Sequence, residues 1–315
     1  MSASKPPIYL DNNATTRPLP EVIDLLRHHY SETYANPGSR HAAGRAARKI
    51  LEESRESLAA ALGAAPQEVL FTSGGTESIN LAIRGLAGTK PGTIALTPGE
   101  HPATMETCRD LERSGWKLHF LDIDGEGRFI EDQWDDLRWS ELKLVTVILA
   151  HNETGVIQDL GRLSDLCREH GVPLHADGVQ AAGKIPVDFA ELGVDALSIA
   201  AHKFHGPRGV GCLLVREDRV LTPLMFGGHQ EMERRPGTEP VALIAGMARA
   251  LEMFTAEQAG RMAHMTQLRD RLQAGLRERC APVIVNGSQS HRLPNTLNIA
   301  FPGLEGDPLL IALDL

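Results

Sequence analysis

No apolar run in the 315 residues approaches the roughly 20 that a membrane-spanning helix needs. Cysteine is scarce. The four present, Cys108, Cys167, Cys212 and Cys280, lie far apart with no CxxC pair. That spacing offers no zinc or disulfide framework. Basic blocks are absent, and 41 acidic residues outnumber 32 basic ones for a formal net charge of -9. Such a balance argues against nucleic-acid and anionic-membrane surfaces. The start, "MSASKPPIYLDNN", holds no apolar core of signal-peptide length. No P-loop spacing GxxxxGK[ST] occurs. Internal repeats, low-complexity tracts and linkers are also missing. The expectation is a soluble, cytoplasmic protein with reduced thiols and no resident metal, with neither a nucleic-acid nor a membrane partner.

What is present is ordinary globular composition, 42% hydrophobic, long enough for one large core or two domains. From Glu21 to about Leu62 the pattern is helical, broken by "NPGSRH" at residues 36–41. "EVLFTSGGTESINLAIRGL" reads as strand, glycine turn, helix, and "GTIALTPGEHPATMETCRDLERSG" repeats that order. "LKLVTVILAHNETG" with "LGRLSDLCREHG" does so again, followed by "VPLHADGVQAAG" and "VDALSIAAHKFHG". Short buried-type strands alternating with helices predict an α/β sheet, largely parallel. From about Val241 to Glu278 the pattern is helical, and "APVIVNG" and "NTLNIAFPG" read as strands of a smaller unit.

Unusual residues cluster where strands end, which is where open α/β sheets carry ligands. Gly74, Gly75 and Thr76 in "TSGGTES" open a helix after a strand. Backbone N–H groups there favour an anion, although a plain helix cap would look the same. Asp177 in "HADGVQ" is either a cap or a partner for a protonated ring nitrogen. His101 in "GEHPAT" could stack on a ring or be an ordinary histidine. Asn152 in "AHNETG" could donate to a phenolic oxygen or make an Asx turn. Lys203, between two histidines in "AHKFHGPRGVGCLLV", could be one more solvated charge. Its functional reading is an amine that condenses with an aldehyde once its surroundings lower its pKa. Taken in order, these residues describe one site.

At these stretches the chain resembles the cysteine desulfurases, in the class V aminotransferase group of pyridoxal 5'-phosphate (PLP) fold type I. The resemblance is carried by "IYLDNNATTRP", "FTSGGTESINLAIRG", "EHPAT", "HNETGVIQDL", "HADGVQAAGKIPVDF", "AHKFHGPRGVGCLLV", "GGHQEMERRPGTEPV" and "PNTLNIAFPG". It implies a large domain, residues 14–253, with a mainly parallel seven-stranded sheet that binds PLP. It also implies a smaller, incomplete α+β domain from residues 1–13 and 254–315. By the same resemblance, Lys203 carries the cofactor and then handles the Cα proton, and His101 stacks on the ring. Asp177 partners the ring nitrogen, while Asn152 and Gln180 lie near the ring oxygen. Gly75, Thr76 and His202 meet the phosphate. Thr238 in "RRPGTEP" reaches the phosphate of a neighbouring subunit, which implies a homodimer.

The implied reaction converts L-cysteine to L-alanine. The sulfur leaves as an enzyme persulfide for an acceptor protein in iron–sulfur cluster or thiolation pathways. Two departures stand out. Ala200 occupies a position where many relatives carry a phosphate-binding serine. After "LEGDPLLIALDL" neither the family's nucleophilic cysteine loop nor its carboxylate-binding arginine follows, so a C-terminally truncated member with limited turnover and an exposed apolar end is expected. Cys212 is expected on a buried strand, Cys108 and Cys167 within helices, and Cys280 at a helix end. The alternatives are a selenocysteine lyase, a β-eliminating lyase or an aminotransferase of the same fold, or a PLP-binding fragment without turnover.

Overall fold

The computed structural model describes residues 8–314. Residues 1–7, part of the stretch assigned to the small domain and read as free of a signal-peptide core, lie outside the described residues, as does Leu315. The elements run α1 (Pro20–Glu32), α2 (Ala42–Ala61), β1 (Val69–Thr72), α3 (Gly75–Ala87), β2 (Thr93–Leu96), α4 (Pro102–Arg113) and β3 (Lys117–Phe120). Next come β4 (Leu142–Ile148), α5 (Gly161–His170), β5 (Leu174–Asp177), α6 (Phe189–Leu192), β6 (Ala196–Ala200) and β7 (Gly211–Val215). The chain closes with α7 (Val241–Ala256), α8 (Gln258–Arg279), β8 (Ile284–Asn286), β9 (Asn298–Ala300) and α9 (Gly306–Asp314).

Seven strands form one sheet in the order β1-β7-β6-β5-β4-β2-β3. All neighbours are parallel except β7, which is antiparallel to both β6 and β1. β1, β2, β4, β5 and β6 therefore point the same way, and their carboxyl ends share one edge. This is the mainly parallel seven-stranded α/β sheet expected. The central strands are buried along their whole length, as a sheet covered on both faces requires.

Side chains alternate between two apolar layers. On β4, Val145 and Val147 enter a core with Leu51 and Leu58 of α2 and Met247 of α7. Leu144 enters the opposite core with Ile79 and Ile83 of α3 and Cys108 of α4. A polar row lies inside the sheet. His175 on β5 bonds Thr146 Oγ1 through Nδ1 and Ser198 Oγ through Nε2, both at 2.8 Å. Burial drives its imidazole down to about 3, so it is neutral.

β8 and β9 form a separate antiparallel pair. α9 leaves Leu310, Ile311 and Leu313 68%, 62% and 77% exposed, the apolar face anticipated in "LLIALDL". Cys108, Cys167 and Cys212 are buried in α4, α5 and β7, and Cys280 caps α8 in solvent. Among the described residues, no helix is long and apolar enough to cross a membrane.

Candidate active site

The shared edge of the strands opens into a cleft of about 260 Å³. Gly75, Thr76, His101, Asn152, Asp177, Gln180, His202 and Lys203 all line it. Ala14, Ile79, Ile148, Val179 and Ala200 complete the wall. Thr238 is exposed and is not among the lining residues.

Each side chain is delivered by the end of an element. After β1, Gly74 takes φ 152°, a conformation that suits glycine, and α3 begins at Gly75. Glu77, in the first turn of α3, accepts from the Ser73 amide and pairs with Arg235 at 2.8 Å, fixing the turn. After β2, His101 caps α4, its Nδ1 accepting from the Ala103 amide at 3.1 Å. That bond keeps Nδ1 free of a proton. Burial, followed by the nearby Lys203 cation, holds the ring's pKa low.

After β4, His151 Nδ1 accepts from the amides of Glu153 and Thr154, both at 3.2 Å, which shapes the turn presenting Asn152. β5 ends at Asp177, whose Oδ1 accepts from the Val179 amide at 3.0 Å. Burial pushes this carboxyl up to about 6, held back by that hydrogen bond and by the Lys203 cation.

β6 ends at Ala200, and a 3-10 turn over Ala201–Lys203 throws His202 and Lys203 into the cleft. His202 Nδ1 meets Thr15 Oγ1 at 3.1 Å, and its ring is lowered to about 4 by burial and then by Lys203. Burial likewise lowers the Lys203 amine, while Asp177 and Asp11 favour its cation. A lysine with a lowered pKa keeps more of the neutral, nucleophilic form.

Three residues beside the cleft escaped the sequence reading. Asn13 bonds to Lys203, Gln180 and Lys184. Lys184 is buried, donates to Gln180 Oε1, and is lowered to about 7 by burial. Glu100 is buried next to His101 and accepts from the Ile148 amide at 2.9 Å. The available signals were slight: a lysine inside the apolar "AAGKIP", and an acid directly before a candidate histidine.

The residues present fit a phosphorylated aldehyde with a basic ring nitrogen. A Cβ on Gly75 would stand 2.8 Å from Val179 Cγ2, so glycine is what lets Val179 of the cleft wall pack against the start of α3 and leaves the backbone amides there uncovered by a side chain of their own. Helix amides there suit a phosphate. A buried carboxylate that makes no direct salt bridge among the described residues suits a protonated ring nitrogen. Lys203 supplies the amine.

An amine, a buried acid and a helix-end anion cradle on a mainly parallel sheet define a cofactor-dependent enzyme of the α/β class. The chain belongs to the family described as aminotransferase class-V, whose model matches residues 8–315. It is 42% identical over 314 residues to cysteine desulfurase IscS of Dictyoglomus turgidum, an alignment spanning 98% of this chain and 79% of that protein. It is 39% identical to the putative cysteine desulfurase IscS 1 of Bacillus subtilis, covering 98% and 82%. A solved NifS-like protein superposes with a TM-score of 0.92 at 37% identity, covering 96% of this chain and 84% of the other. SspA in complex with cysteine superposes at 0.85 and 31% identity, covering 96% and 85%. The chain is a PLP-dependent enzyme of cysteine desulfurase type.

Proposed function

We propose that the cleft residues act as follows. The α3 amides at Gly75 and Thr76, the Thr76 hydroxyl and His202 hold the cofactor phosphate. Asp177 holds the proton of the ring nitrogen. His101 stacks on the ring face, while Asn152 and Gln180 bind the ring oxygen. When bound, PLP supplies an aldehyde for amines and a cationic ring that stores the electron pair left at Cα. Lys203 Nζ would hold the aldehyde end of the cofactor and, when free of it, would move the proton at the substrate Cα. The observation that carries this assignment is the convergence of eight spaced residues on one cleft.

The substrate is L-cysteine, in keeping with the cysteine held by the related SspA. A cysteine thiolate brought in from outside the cleft would attack the substrate Sγ; the Cβ–Sγ bond breaks, Cβ takes a proton, and Lys203 Nζ returns the proton to Cα to give alanine. The sulfur remains on the thiolate as a persulfide and passes to an acceptor protein. None of this chain's four cysteines lines the cleft. Burial raises the Cys108, Cys167 and Cys212 thiols to about 12, too high for thiolate chemistry at neutral pH. Two copies form a dimer in which Thr238 completes the partner's phosphate site. The unpaired thiols and the resemblance support a cytoplasmic location.

Product analysis tests the assignment. These 315 residues, given PLP and L-cysteine, should release alanine at a low rate without persulfide on the three buried cysteines. Pyruvate with free sulfide, or a requirement for a keto-acid acceptor, would contradict it and favour a lyase or an aminotransferase.

A further inference from the structure

Six hydrogen bonds converge on Asn13, each with a partner at least 139 residues away in sequence. Its Nδ2 donates to the Asn152 carbonyl at 3.0 Å and to Thr296 Oγ1 at 2.9 Å. Its Oδ1 accepts from Lys184 Nζ at 3.1 Å and from Asn295 Nδ2 at 2.9 Å. The side-chain amide thus uses both donors and both acceptor lone pairs. Its main-chain carbonyl accepts from Gln180 Nε2 at 2.8 Å and from Lys203 Nζ at 2.5 Å. Lys203 Nζ also donates to the Ala14 carbonyl at 2.9 Å.

A saturated side chain holds the attached peptide still. An amine that alternates between cofactor-bound and free states needs acceptors within reach when free. We propose that Asn13 is a positioning residue for Lys203: its side chain fixes the Asn13 and Ala14 carbonyls, and these receive the lysine amine whenever it is free. The proposal rests on Lys203 being the cofactor-carrying amine. It gives the segment around Asn295 and Thr296, beyond α8, a direct hold on the cleft.

Several charged groups face Lys203. Asp177 at the end of β5 and Asp11 in the amino-terminal segment favour its cation. His101 and His202 both feel its charge, as does Lys184. Hydrogen bonds from the ammonium to two carbonyls add to the cation's stability. Loosening those carbonyls while burial persists must therefore lower the pH at which the amine becomes reactive.

The test is acylation of the cofactor-free chain across a pH series, read by peptide mapping, with exposed Lys90 as the internal reference. Asn13→Ala should move the Lys203 profile to lower pH. Near pH 8, labelling relative to Lys90 should rise about five-fold. Thr296→Val should shift it less, in the same direction, and the double variant no further than Asn13→Ala alone. An unmoved Lys203 profile in Asn13→Ala would overturn the proposal. If that variant instead labels like Lys90, it has lost the fold and the milder Thr296→Val decides: a downward shift supports the proposal, and no shift overturns it. Borohydride reduction of the unaltered PLP-loaded chain with peptide mapping separately tests the role of Lys203, so the two failures are distinguishable.

Discussion

Glu100 shows how a buried residue can matter to a site without touching its ligand. Its Oε1 accepts from Thr97 Oγ1 and the Ile148 amide, while Oε2 is buried without a partner. Burial, with a smaller push from Asp177, raises this carboxyl to about 8. The folded chain therefore keeps a proton that the unfolded chain releases near its ordinary 4.5. Stability is full below that value and falls as pH rises toward 8. His175, lowered to about 3, works the other way, with its contribution present above 6.5 and lost as pH falls. A tenfold change in proton affinity corresponds to about 1.4 kcal/mol. Glu100→Gln should therefore gain stability relative to the unaltered chain at about pH 9 compared with about pH 6, by about 3 kcal/mol. Thermal melts of the cofactor-free protein at the two pH values check this. An equal difference at both would show that Glu100 is ionised throughout. The sequence could not reveal this residue, because its partners Thr97 and Ile148 become neighbours only when β2 and β4 pair. Lys203, Asp177 and His101 were legible because each stands at a strand end inside a recognisable motif.

Among the elements, the buried strands and long helices were legible from apolar periodicity and glycine punctuation. β3 was not. Its "KLHF" is mostly exposed at the sheet edge and owes its conformation to pairing with β2. The segment before α7 was legible only as a motif, yet its backbone is unusual. Glu231, Met232 and Glu233 take φ of 48°, 56° and 64°, each costing on the order of 1–3 kcal/mol. A buried pair holds them there. Arg55 grips Glu231 with two bonds of 3.0 and 2.7 Å, and the Phe71 amide donates to the same carboxylate at 2.9 Å. Arg235 then ties the segment to Glu77 in the first turn of α3. The anchored segment leaves Thr238 exposed, and Phe226, earlier in the same stretch, is 89% exposed. A segment so anchored suits a second subunit. Sedimentation of the PLP-loaded chain should show a dimer, and a monomer retaining full PLP would contradict this.

At the scale of the whole molecule, two apolar layers clamp a parallel sheet and leave its carboxyl edge for chemistry. β5 and β6 end side by side at Asp177 and Ala200, which sets the buried acid beside the turn carrying Lys203. That adjacency is a consequence of strand order, and no local pattern in the sequence encodes it. It places the buried Asp177 carboxyl, the Lys203 amine and the amino-terminal end of α3 in one cleft, the arrangement on which the proposed cofactor assignment rests. Borohydride reduction of the PLP-loaded chain, followed by peptide mapping, tests this assignment most directly. The pyridoxyl group should be found on Lys203, and Lys203→Ala should abolish it. A pyridoxyl group on Lys184 or any other lysine, with Lys203 unmodified, would contradict the assignment.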